Sequence, residues 1–207
     1  MNSDELILAS ASPRRKRLLA QVGLSFRTDI SDIDESQIEG EKAEEYVLRL
    51  SQQKARVVQQ RYKEGIILAA DTAVVLGGDI LGKPESQNHG IEMLRRLSGN
   101  MHLVLTGVTV LNRCRKKSFL TSSRVIFREI SMSEIVWYWE TGEPEDKAGA
   151  YGLQGKGAAF VSSIHGSFTN VFGLPLAETL SLLREFNVNV MQHGAQEIRS
   201  EQDNKHV

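Results

Sequence analysis

The chain has 207 residues, 41% hydrophobic and 25% charged, with a formal net charge of −1 at neutral pH. A chain of this length buries enough surface to fold without disulfides or a structural metal, as one domain or as two lobes about one cleft. The charge balance offers no basic field for nucleic acid, and the single cysteine, Cys114, excludes an intrachain disulfide and a multi-cysteine zinc site.

The polar start Met1–Glu5 is followed by only a short apolar run, and no run approaches eighteen apolar residues. A soluble, cytoplasmic protein without membrane contact is therefore expected. Leu6–Ala9 reads as a short buried strand. A helix follows over Pro13–Val22, with Ser12 as N-cap, Pro13 in the first position and Gly23 as the stop. Phe26–Ile33 suggests a second strand. Over Glu41–Tyr62 the period turns helical, and Tyr46, Val47, Leu50, Lys54 and Val57 or Val58 share one face.

Ile66–Leu76 reads as a strand that turns at Gly77-Gly78 into Ile80-Leu81. A helix over Glu85–Leu97 ends at Gly99. Two alternating runs, His102–Leu111 and Ser118–Ile130, form a hairpin about the basic turn that holds Arg115 and Cys114. Ser131 or Ser133 caps a helix with Ile135, Val136, Trp137 and Trp139, the two tryptophans being expected in the core. A glycine-rich loop leads to a strand over Ala158–Ile164, and Leu174–Phe186 is the last helix. The domain is expected to span residues 1–188, and the polar, aperiodic remainder from Asn189 to Val207 is expected to be a disordered tail. Helices alternate with strands and hairpins, which predicts an α/β fold with a mixed sheet.

Four groups of residues can carry chemistry. In Ser10-Ala11-Ser12-Pro13-Arg14-Arg15 a helix N-terminus, two hydroxyls and two guanidinium forks suit an anion. A well-capped surface helix with solvated arginines explains the same residues equally well. Asp71 interrupts a buried strand and so needs pairing, hydrogen bonds or a metal. With it, the acidic cluster Asp32, Asp34 and Glu35 could hold a hard cation such as Mg²⁺ or Mn²⁺, although a solvated acidic loop is the simpler reading of any one member. Lys54, on the apolar helix face, and Lys83, in Gly82-Lys83-Pro84, could neutralise phosphate, snorkelling being the bland alternative for Lys54. Finally, the four glycines between Gly149 and Gly157 would let the backbone approach a ligand, and Gln154 offers an amide that could read a base. That loop matches neither a Walker loop nor a GxGxxG fingerprint.

Taken in order, Leu8-Ala9-Ser10-Ala11-Ser12-Pro13-Arg14-Arg15, Ala70-Asp71-Thr72, Gly82-Lys83-Pro84, Thr106-Gly107-Val108, the segment Asp146–Gly155 and Val171-Phe172-Gly173-Leu174-Pro175-Leu176 resemble the Maf family. The resemblance runs from about Leu6 to Asn187. It implies a long, twisted mixed sheet flanked by helices, with two lobes around a central cleft. It also implies hydrolysis of a nucleoside triphosphate to monophosphate and pyrophosphate with a divalent metal (Mg²⁺, Mn²⁺ or Co²⁺).

Carried over by position, Asp71 matches the catalytic proton acceptor, and Arg14, Thr72 and Gln154 match positions that track substrate choice. The Tyr151–Gly155 loop with Arg14 and Thr72 is similar to the branch acting on dTTP and UTP. Together with the local chemistry, this makes Ser10, Ser12, Arg14, Arg15, Lys54 and Lys83 the candidate phosphate ligands. Glu35 and Asp71 become the candidate metal ligands. A homodimer is usual in the family. Two rival readings stand beside this one: the sister activity on 7-methyl-GTP, and a nucleotide-binding regulator of cell division with little turnover.

Overall fold

The computed structural model describes residues 5–190. The elements in chain order are β1 (Leu6–Ala9), α1 (Pro13–Gln21), β2 (Arg27–Asp29), α2 (Ala43–Arg61), β3 (Ile66–Leu76), β4 (Asp79–Leu81), α3 (Gln87–Leu97), β5 (Met101–Leu111), β6 (Lys116–Phe127), α4 (Met132–Glu140), β7 (Val161–His165), α5 (Phe168–Val171) and α6 (Leu176–Glu185). The strands form one mixed sheet in the order β2-β1-β3-β5-β6-β7, with β4 paired to β3. Both β2 and β3 run parallel to β1, and the remaining pairs are antiparallel. The α/β fold with a mixed sheet is thus as the sequence suggests.

Side chains alternate along a strand, and β3 shows what that does here. On one face, Leu68 and Ala70 join Val108 and Val110 of β5 beneath Leu18 and Leu19 of α1 and Leu182 and Leu183 of α6. Further along the same face, Val74 and Val104 join Val125 beneath α3 and α4, with Leu94, Leu97, Ile135 and Tyr138 at the contact. These two clusters are the two lobes. On the opposite face α2 crosses behind both, packing Ala55 and Val58 on Ile67 and Ala69, and Val47 on Ala73 and Leu105.

The close seat of α2 depends on Gly107 in the middle of β5. A Cβ there would stand 2.5 Å from the Val47 carbonyl oxygen and 2.8 Å from the Leu48 nitrogen. Only a residue without a side chain lets the helix backbone lie so near the strand.

Several boundaries differ from the sequence expectation. The second strand is three residues long, because β1 offers it only Ile7–Ala9 as partners. Leu174 is not helical; it precedes Pro175, which caps α6, and a residue before proline is steered away from helix. The strand expected from Ala158 starts at Val161, after a 3-10 segment over Lys156–Phe160. Ser131, not Ser133, caps α4, in a capping box with Glu134.

Trp137 is not a core residue, being 49% exposed with the Lys156 ammonium over its ring. Ile135 and Tyr138 face inward on α4, and Trp137 lies about 200° round the helix from Ile135. Cys114 is exposed in the β5–β6 turn. Most of the tail expected from Asn189 onward, residues 191–207, lies outside the described residues. No helix among the described residues is long and apolar enough to cross a membrane.

Candidate active site

The site sits where the sheet changes partner. Along one edge of β3, Ile66–Leu68 pair with β1 and Val74–Leu76 pair with β4. Between these two stretches, among the described residues, no strand pairs that edge of β3. Asp71 and Thr72 lie in this gap. The Ser10–Arg15 turn leaves the end of β1 on one side, and Gly82-Lys83 leaves β4 on the other. Open sheets bind ligands at such carboxyl ends, where neighbouring chains part. A cleft of 430 Å³ opens here, within the range of small-molecule sites. Its walls include Ser10, Ser12, Arg14, Arg15, Glu35, Lys54, Asp71, Thr72 and Lys83.

Both apolar faces of β3 turn polar in the gap. On the α2 face, the buried Asp71 carboxylate accepts a hydrogen bond from Lys54 Nζ at 2.6 Å, and Glu35 Oε1 lies 2.8 Å from the same nitrogen. Lys54 does not snorkel, since its ammonium is enclosed between two carboxylates. Burial raises the Asp71 pKa above the ordinary carboxylate value, while the charges of Lys54 and Arg15 oppose that rise and Glu35 adds to it. The Glu35 loop is anchored by Tyr46, whose hydroxyl donates to the Glu35 carbonyl oxygen at 3.0 Å. Of the acidic cluster, only Glu35 reaches the cleft. The Asp34 carboxylate instead accepts the Ser36 N–H.

On the other face, Thr72 lies between the two lobes. Its hydroxyl meets Thr106 Oγ1 at 3.0 Å and accepts from Arg15 Nη2 at 3.0 Å. Arg15 is buried; its Nε donates to the Gly173 carbonyl at 2.8 Å and its Nη1 to Ser10 Oγ at 3.2 Å. Among the described residues no carboxylate lies within ion-pair distance of this guanidinium. Burial accordingly lowers its pKa, against the favourable field of Asp71. Three of the five guanidinium N–H groups are used in these bonds, leaving two. A buried charge without a counter-ion is costly, and a phosphate in the cleft would relieve that cost.

Arg14 is placed differently. It is half-buried at the cleft wall and, among the described residues, makes no hydrogen bond or ion pair. Lys83 is exposed at the opposite wall and is equally unengaged. The helix end adds donors. Pro13 lacks an N–H and the Arg15 N–H is directed at Ser12 Oγ, so the Arg14 N–H is left over. Ser10 Oγ accepts from the Ser12 N–H and from Arg15, which leaves its own proton to donate.

Gln154, like Asp32 and Asp34, is not brought to the cleft. It is exposed and does not line the cleft; Tyr151, Gly152 and Leu153, just before it, do. The loop glycines also serve packing within the protein. Added Cβ atoms at Gly149, Gly152, Gly155 and Gly157 would strike Val74, Lys147, Glu143 and Tyr138 respectively. The loop packs tightly on its own protein. Sequence reasoning assigned no role to Ile30, Asp146, Lys147 or Phe172, which also line the cleft. For all but Ile30 the signal was the family-like segments that contain them.

Among the described residues there is no group of three or more His, Cys, Asp or Glu side chains able to cage a metal. The pair Asp71 and Glu35 nevertheless shares one cation already, the Lys54 ammonium. Two hard oxygen donors beside an open cleft fit a Mg²⁺-like ion, which takes one or two carboxylates and completes its shell with water and phosphate oxygens.

The chain is similar to several known proteins. The chain is 50% identical over 185 residues to a dTTP/UTP pyrophosphatase of Myxococcus xanthus, covering 88% of this chain and 94% of the relative. It is 48% identical over 188 residues to a dTTP/UTP pyrophosphatase of Hahella chejuensis, covering 89% and 94%. Among solved structures, a HAM1 protein from Coxiella burnetii is similar at a TM-score of 0.47 and 14% identity, covering 88% of this chain and 99% of that one. The family model described as Maf-like protein matches residues 5–186, and the chain belongs to the Maf family.

Proposed function

We propose that this cleft hydrolyses dTTP and UTP to the monophosphate and pyrophosphate. The observation that carries the reading is the buried Asp71 carboxylate facing a cleft whose walls bring together Arg14, Arg15, Lys54 and Lys83. The choice of pyrimidine triphosphates is supported by the names of relatives about half identical over nearly their whole length. The reading places the enzyme in the cytoplasm, with its substrates.

Asp71 is the proton acceptor for a water that attacks in line at the α-phosphorus. Burial makes its carboxylate a stronger base than an exposed one. Arg14 and Lys83, unengaged among the described residues, hold the triphosphate oxygens and stabilise the charge that builds up on departing pyrophosphate. Ser10, Ser12 and the Arg14 N–H donate to the same oxygens. Arg15 keeps Ser10, Thr72 and Gly173 in register and offers its two remaining N–H groups. Asp71 and Glu35 would hold the divalent ion, with Lys54 keeping the two carboxylates together. Such an ion supplies charge neutralisation and a lowered water pKa. Base choice belongs to Tyr151, Gly152 and Leu153 on the adjoining wall, with Gln154 next to them in the chain.

Asp71→Asn keeps the size of the side chain and removes its basicity. It is expected to cut pyrophosphate release from dTTP by about 100-fold or more, with an unchanged circular dichroism spectrum. Near-normal turnover by the folded variant would refute the role.

A further inference from the structure

The loop that carries Leu153 and Gln154 is held by one side chain outside the cleft. Glu143 Oε1 accepts the Tyr138 hydroxyl proton at 2.8 Å and the Gly157 N–H at 3.2 Å, and Oε2 accepts the Lys156 N–H at 2.8 Å. Tyr138 Oη in turn accepts the Gly152 N–H at 3.1 Å. The Glu143 carbonyl oxygen accepts from Lys147 Nζ at 2.6 Å, and the Lys147 stem packs beneath Gly152. Glu143 therefore grips the Lys156–Gly157 end of the segment directly and the Gly152 end through the Tyr138 hydroxyl.

The glycines fit this purpose. A Cβ on Gly155 would run into both carboxylate oxygens of Glu143, and one on Gly157 would stand 2.6 Å from Tyr138 Oη. Burial alone would raise the Glu143 pKa, but the Lys156 amide, the Tyr138 hydroxyl and the Gly157 amide outweigh it and hold the group below the ordinary range. Glu143 is thus an anion at neutral pH with its acceptor sites turned towards the loop. It is not among the residues that line the cleft.

We infer that Glu143 is the positioning residue of the base-selecting loop: without touching the nucleotide, it sets where Leu153 and Gln154 stand and so governs which base is accepted. This rests on the pyrophosphatase reading above. The triphosphate grip, made by other elements, is independent of it.

The test compares wild type, Glu143→Gln and Gly155→Ala on UTP, GTP and methyl triphosphate, the last having neither base nor sugar. Gly155→Ala disturbs the same contact from the loop side and covers the case in which Glu143→Gln fails to fold. In the folded variants, KM for UTP should rise about tenfold and the UTP over GTP preference in kcat/KM should fall about tenfold. Their kcat and their turnover of methyl triphosphate should stay near wild type. Unaltered KM and preference, or equal losses on UTP and methyl triphosphate, would overturn the role of Glu143 while leaving the enzyme reading intact. Wild-type protein inert towards all three compounds would overturn both.

Discussion

Arg14 and Arg15 are adjacent in sequence and opposite in circumstance. In the first turn of α1 their side chains leave about 100° apart, so one looks into the cleft while the other passes beneath it. The sequence showed that two forks stood near an anion site. It could not show that Arg15 is occupied, because Thr72 and Gly173 are 57 and 158 residues away. Arg15→Lys keeps the charge but loses the planar fork. It should destabilise the protein by about 2–3 kcal/mol in urea denaturation, and a change under 0.5 kcal/mol would show that the fork holds nothing.

His102, near the start of β5, gives a second test at this scale. It is 1% exposed, bonded through Nε2 to the Tyr151 hydroxyl at 2.8 Å, and its Nδ1 has no partner among the described residues. Burial drives its pKa from 6.5 to about 4. Above pH 6.5 the imidazole is neutral in both folded and unfolded chains and costs nothing. Between pH 6.5 and about 4 the unfolded chain takes up the proton first, so stability falls with pH. The fall attributable to this residue should approach ~3 kcal/mol, read as the difference between wild type and His102→Gln in denaturation curves across that window. Parallel curves would contradict the assignment.

At the scale of elements, β3 positions the site by breaking its own pattern. Apolar alternation on both faces stops at Asp71 and Thr72 and resumes at Ala73 and Val74. That interruption is plain in the sequence, where Asp71 stands out as an acidic residue inside an apolar run. The geometry of α2 was not visible, because it depends on a contact between Gly107 and Val47 sixty residues apart. Gly107→Ala should force α2 off the sheet, costing about 3 kcal/mol of stability and displacing Lys54 from Asp71. Thermal melting together with pyrophosphate release checks this; a stable, fully active variant would mean that the helix has room to move. The glycine-rich loop was legible only in part. Its composition was plain, but glycine serves close packing on protein as readily as close approach to a ligand, and composition cannot separate the two.

For the whole molecule, the alternation of elements was enough to give the mixed sheet. The division into two lobes came from resemblance and was then seen in the two separate apolar clusters on one face. Short-range signals fixed most helices to within a few residues, while β2 and β7 were misjudged, since strand length depends on partners remote in sequence. The cleft follows from topology. β1 and β4 both end here, and the stretch of β3 between them, open on that edge among the described residues and paired with β5 on the other, carries the Asp71 carboxylate beside cations delivered by three different loops or helices. The role of Asp71 depends on where the water attacks. Hydrolysis of dTTP in ¹⁸O-enriched water with Mg²⁺, followed by mass spectrometry of the products, should place the label in dTMP and none in pyrophosphate. Label in pyrophosphate, or release of orthophosphate from the γ-position, would contradict attack at the α-phosphorus and with it the assignment of Asp71.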